Sequence, residues 1–145
     1  MVIMHKNNLF MYFFSVFPYT FCIFAIKNHK EKNIEIENAK IIEYFSIPYF
    51  YYLARSKYWI VNCKLPKYVL KKPNQIYLQT WHGTPLKKLA HDIEVPEGTT
   101  FYRSEMTVEQ MCSTYDNDVS KYNYMISPSA FTTEVFQSAF KIDQA

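Results

Sequence analysis

The run Gln79-Thr80-Trp81-His82-Gly83-Thr84-Pro85-Leu86-Lys87-Lys88-Leu89 constrains the fold of this chain more than any other stretch. A strand-like apolar run, Ile76-Tyr77-Leu78, leads into it, and the alternation breaks at Gly83. A helix-start signal follows at once: Thr84 suits an N-cap, Pro85 the first helical position, and Leu86 and Leu89 recur at helical spacing. The stretch therefore predicts strand, tight turn and helix, with His82 in the turn. Ligands of open α/β sheets bind outside the carboxyl ends of strands, at just such a turn. A helix N-terminus there offers unpaired N–H groups and a partial positive charge to an anion. Lys87 and Lys88, in the first turn of the expected helix, would add formal charge.

Glycine usage narrows the ways a phosphate can be held. Only Gly83 and Gly98 are present, where average usage of about 7% gives roughly ten. That excludes a Walker loop and a G-x-G-x-x-G fingerprint, and leaves helix termini and basic side chains. The length of 145 residues bounds the chain to one domain, and 49% hydrophobic with 19% aromatic residues excludes a disordered composition. Cys22, Cys63 and Cys112 are scattered, with no C-x-x-C pair, which fits core packing in a reducing compartment. His5, His29, His82 and His91 show no H-x-x-x-H spacing, so neither a metal site nor a cofactor is expected.

From Leu9 to Ile26 the chain carries no charge. Two readings are open. One is a membrane span, which the segment barely reaches in length and which Pro18 interrupts. The other, favoured here, is core structure with Phe21–Ile26 as a buried strand. Lys27–Lys40 reads as a polar loop or short exposed helix. Ile41–Phe45 is a strand candidate, Pro48 opens a helix through Tyr52 and Leu53, and Tyr58–Val61 and Gln75–Gln79 are strands. Beyond a turn at Gly98, Ser104 is the expected cap of a helix through Thr114. A last strand spans Tyr122–Ile126. Ser127-Pro128 then repeats the cap-then-proline device before an apolar stripe of Phe131, Val135, Phe136, Ala139 and Phe140. This rhythm predicts an α/β fold with a Rossmann-like parallel sheet.

Charge is segregated. Tyr44–His91 holds eight Lys or Arg and no Asp or Glu, whereas Asp92 onward holds nine acids and three bases. One reading is a positive face for an anionic polymer or bilayer; the other is a solvated surface that happens to lack acids. No nucleic-acid signature is visible.

The run QTWHGTPLKKLAHDI resembles the WHGTPLK-type signature of the CDP-glycerol glycerophosphotransferases, the teichoic-acid polymerases and primases. Tyr51–Asn62 upstream, and Ile126–Ser129 with Phe136–Phe140 downstream, are similar as well. The resemblance runs from about Phe24 to the C-terminus, which divides the chain into an atypical apolar segment, 1–23, and a partial acceptor-side domain, 24–145. It implies the N-terminal domain of a two-domain GT-B-type transferase, truncated before its nucleotide-holding C-terminal domain. It further implies His82 as general base, and CDP-glycerol and an anionic polyol-phosphate acceptor as partners. Gly83, Thr84, Lys87, Lys88, Ser127 and Ser129 are the candidate phosphate contacts; a matching acid, Asp92, carries no assigned role. The expected place is cytoplasmic, peripheral on the inner membrane face, with the fragment inactive alone. The competing hypothesis is a small anchored or peripheral protein that binds anionic lipid or polymer without catalysis.

Overall fold

A computed structural model describes residues 10–14, 22–26, 39–96 and 105–142. Among the described residues six strands form one sheet: β1 (Phe10–Phe14), β2 (Cys22–Ile26), β3 (Ala39–Glu43), β4 (Tyr58–Val61), β5 (Ile76–Gln79) and β6 (Tyr124–Met125), in the order β3-β2-β1-β4-β5-β6. Helix α1 (Ile47–Arg55) lies between β3 and β4, α2 (Val108–Val119) before β6, and α3 (Ala130–Phe140) after it. Helices follow β3, β5 and β6, which fits an α/β fold, but the sheet is mixed. β4, β5 and β6 are parallel, as are β2 and β3, while β1 runs antiparallel to both of its neighbours. The expectation of a parallel sheet therefore fails at β1. Only seven residues separate β1 from β2, too few for the crossover that parallel neighbours need.

The uncharged run Leu9–Ile26 thus contributes strands β1 and β2 to the sheet. Among the described residues no helix is long and apolar enough to cross a membrane. The polar segment up to residue 38 and the turn at Gly98 lie outside the described residues.

Helix α1 starts where its cap chemistry places it. Ser46 Oγ accepts from the Tyr49 N–H at 3.3 Å, and Pro48 sits in the first turn. Tyr49 and Leu53, four residues apart, are buried against Trp59, Val61 and Tyr77, the inward-facing apolar residues of β4 and β5. The Trp59 indole N–H donates to Leu53 O at 3.0 Å, tying the end of α1 to the sheet. Helix α2 begins later than the sequence suggests: Thr107, not Ser104, is the cap, in a reciprocal capping box with Gln110. In α3, Phe136, Ala139 and Phe140 are buried with Trp81 and Ala90 in a second cluster, whereas Phe131 faces solvent.

Candidate active site

Because β2 to β6 all run in one direction, their carboxyl ends line one edge of the sheet. The parallel ladder continues past β5, with Thr80 N–H donating to Val61 O at 2.8 Å and Ile126 N–H to Gln79 O at 2.9 Å. The chain then turns sharply. Trp81 adopts φ 56° and Gly83 φ 151°. A left-handed residue other than glycine costs about 1–2 kcal/mol, and local contacts offset it here. The Trp81 N–H donates to Gln79 Oε1 at 2.9 Å, and the indole packs at 5.5 Å on Phe136 and 5.3 Å on Phe140 between ring centroids.

With Trp81 turned inward, His82 is exposed. Its ring stacks on the indole at 4.7 Å and 21°. Its Nδ1 lies 2.8 Å from the carbonyl oxygen of Asn62, just past β4. A carbonyl only accepts, so Nδ1 carries the hydrogen, and in the neutral ring Nε2 carries the lone pair. The arrangement presents a fixed, solvent-facing proton acceptor at the carboxyl edge of β4 and β5.

The helix expected at Thr84 does not form. Residues 84–89 are non-helical, Thr84 is exposed, and Leu86 is 90% exposed. The next helical turn is a 3₁₀ turn, Ala90–Asp92, whose cap residue Leu89 makes no side-chain cap bond. Two leucines do not supply the apolar face that a short helix needs from tertiary packing, and Pro85 is buried rather than set at an exposed helix start. Distant partners hold the segment instead. His91 Nε2 lies 2.7 Å from Asp116 Oδ1 on α2, and Ser138 Oγ on α3 donates to Asp92 Oδ1 at 2.6 Å. Asp92 is thus a fastening between the 3₁₀ turn and α3. Gly83, Thr84, Lys87 and Lys88 sit on an exposed loop beside His82 without a helix dipole behind them, and Lys88 is ion-paired with Glu94 at 2.5 Å.

Ser127 and Ser129 lie past β6, on the same edge, but their hydroxyls serve α3. Ser129, not Ser127, is the cap and accepts from the Thr132 N–H at 3.2 Å. Ser127 Oγ donates to Ser129 O at 3.0 Å and accepts from Thr133 Oγ1 at 2.7 Å.

The acid-free stretch is largely stitched to the protein. Lys64 Nζ donates to Thr114 Oγ1 at 2.7 Å and lies 4.1 Å from the Tyr115 ring centroid, and burial holds its pKa below the ordinary lysine value. Lys67 donates to Ser113 Oγ, Lys71 to Asn123 Oδ1, and Lys72 to Ala54 O. These ammonium groups tie the connector after β4 to α1, α2 and the turn before β6.

Sequence reasoning missed Asn62, whose carbonyl orients His82, and Gln79, Asp118 and Tyr122 behind the turn. Gln79 carries a legible signal: it is a polar residue at an inward-facing position of β5.

Residues 6–145 match the family described as CDP-Glycerol:Poly(glycerophosphate) glycerophosphotransferase. The chain belongs to this family. The match extends the similarity back from about Phe24 to residue 6. The chain is 37% identical over 119 residues to a teichoic acid poly(glycerol phosphate) polymerase of Bacillus spizizenii, covering 82% of this chain and 29% of that protein. It is 31% identical over 124 residues to a teichoic acid glycerol-phosphate transferase of Staphylococcus aureus, covering 84% and 30%. Its fold matches solved structures of the wall teichoic acid polymerase TagF at TM-score 0.72 and 35% identity, covering 83% of this chain and 28% of that one. Two of those were determined after CDPG soaks. This glycerophosphotransferase-family chain spans less than a third of the length of these relatives.

Proposed function

We propose that this chain supplies the acceptor-side edge of a GT-B-type enzyme that transfers glycerol phosphate from CDP-glycerol to a glycerol-phosphate acceptor. The observation that carries the reading is the bond from His82 Nδ1–H to Asn62 O, which leaves Nε2 as an exposed proton acceptor at a strand end. Nε2 takes the proton of a terminal acceptor hydroxyl as its oxygen attacks the glycerol-bearing phosphate. The bond from that phosphate to the cytidylyl phosphate breaks, CMP leaves, and the imidazolium returns its proton to solvent. The loop after His82 contacts phosphate through backbone N–H groups at Gly83 and Thr84 and through Lys87, with Lys88 first giving up Glu94. Ser127 and Ser129 act by starting α3 rather than by touching substrate. The CDPG soak of a similar polymerase supports the donor.

The nucleotide-holding half belongs, in this reading, to the longer protein that such relatives represent, docked peripherally on the inner membrane face. Salt would then release it from membranes, whereas a need for detergent favours an anchored binding protein. The test of His82 grafts this chain in place of the matching segment of a full-length relative. His82→Ala should then lower CMP release by about 10² to 10⁴-fold, the range of general acid–base catalysis, with little change in KM. Near-normal turnover leaves His82 as a structural neighbour of Trp81. The 145-residue chain alone should release no CMP above background, and release above background overturns the two-part reading.

A further inference from the structure

Gln79, the last residue of β5, has a fully buried carboxamide whose two ends grip two different segments. Oε1 accepts from the Trp81 N–H at 2.9 Å, and Nε2 donates to Cys63 O at 3.1 Å. The orientation is fixed by chemistry, since a carbonyl only accepts and a backbone N–H only donates. A second layer reinforces it. The Tyr122 hydroxyl donates to Asp118 Oδ2 at 2.7 Å, which leaves its oxygen to accept from Gln79 Nε2 at 3.3 Å. Asp118 Oδ1 in turn accepts from the Leu65 N–H at 3.2 Å.

The two segments held by Gln79 are those that meet in the site. Trp81 precedes His82, and Cys63 follows Asn62. The bond from His82 Nδ1 to Asn62 O spans the same gap between the exits of β4 and β5. We infer that Gln79 is a positioning residue for His82: its carboxamide sets the separation of the two strand exits, and through it the Nδ1–H tautomer. The inference rests on the reading of Nε2 as the base, but its test needs no turnover.

The test is the tautomer of His82, read from long-range ¹H–¹⁵N correlations of the ¹⁵N-histidine-labelled 145-residue chain, on the alkaline side of imidazole titration. The wild type should show Nδ1–H at His82. His91, whose Nε2 faces Asp116, should show Nε2–H and serves as the internal control of the fold. Gln79→Met, of equal length and without hydrogen bonds, should shift the His82 tautomer ratio about five-fold toward Nε2–H, the worth of one ordinary hydrogen bond, with His91 unchanged. Gln79→Asn keeps an amide but is too short for both partners, and should shift the ratio likewise. An unchanged His82 ratio in either variant that keeps the His91 signal overturns the assignment, as does a wild-type His82 in the Nε2–H form. A catalytically dispensable His82 would defeat the proposed function and leave these spectra as expected.

Discussion

Asp92 Oδ1 accepts from Ser138 Oγ at 2.6 Å across 46 residues of sequence, while its neighbour His91 meets Asp116 across 25. Two adjacent residues of one 3₁₀ turn are thereby fastened to two different helices. The loop that starts at His82 is consequently anchored at its far end as well as at Trp81.

That fastening predicts a measurable coupling. A double-mutant cycle on Asp92→Ala and Ser138→Ala should give about 0.5–1.5 kcal/mol by denaturant unfolding. Additive single effects would mean that the contact contributes nothing to the fold.

Trp81 joins the site to the second core cluster. Trp81→Ala removes an indole packed on Phe136 and Phe140 and should cost about 3–5 kcal/mol. The chain's other tryptophan, Trp59, is buried in the first cluster. Its emission survives in Trp81→Ala and should therefore report the lower denaturant midpoint of that variant. A midpoint within error of the wild type would contradict the packing role.

Gly83 and Thr84 separate two accounts of the loop. A Cβ built on Gly83 meets nothing within 4 Å, so the cost of Gly83→Ala is conformational, set by φ 151°. About 1–3 kcal/mol of destabilisation is expected. Thr84→Ala should change stability by less than about 0.5 kcal/mol, as at an ordinary surface position. A helix N-cap at Thr84 predicts a loss nearer 1 kcal/mol, and thermal unfolding of the two variants distinguishes the cases.

Asp118 should give the protein a pH signature. Burial raises its pKa above the ordinary value, and the hydrogen bonds from Tyr122 and Leu65, with Lys121 and Lys64 nearby, only partly offset this. From the ordinary aspartate value up to the raised one, the folded protein keeps a proton that the unfolded chain has released. Stability contributed by this group therefore falls as pH rises through that window. Denaturant unfolding from acidic to neutral pH should show this descending component in the wild type and not in Asp118→Asn. Identical profiles for the two proteins would refute it.

Lys87 lies on the exposed loop after His82. In the full-length graft, Lys87→Ala should raise KM for the anionic substrate more than it lowers kcat, and more so at low salt, where charge contacts are least screened. A salt-independent effect on kcat alone would assign Lys87 another role.

By itself the sequence determined the strands that frame the site and the motif that carries it. Tyr58–Val61 has the bounds read from the sequence, β5 differs from its reading only by excluding Gln75, and Pro48 stands in the first turn of a helix. These follow from short apolar runs and from the fit of proline at a helix start, which act over a few neighbouring residues. Tertiary structure decided the rest. Thr84 and Pro85 carry a sound local start signal, yet no helix follows, because a short helix persists only where its apolar face finds a partner, and Leu86 points to solvent. The strand β1 opposes β2 because the connection between them is too short for a crossover. His82 owes its exposed Nε2 to Asn62, twenty residues upstream, and its setting to a buried amide whose partners come from β4's exit and from Tyr122. A carbonyl twenty residues away and an amide in the core leave no periodicity in the chain, so only the folded arrangement could bring them to one imidazole.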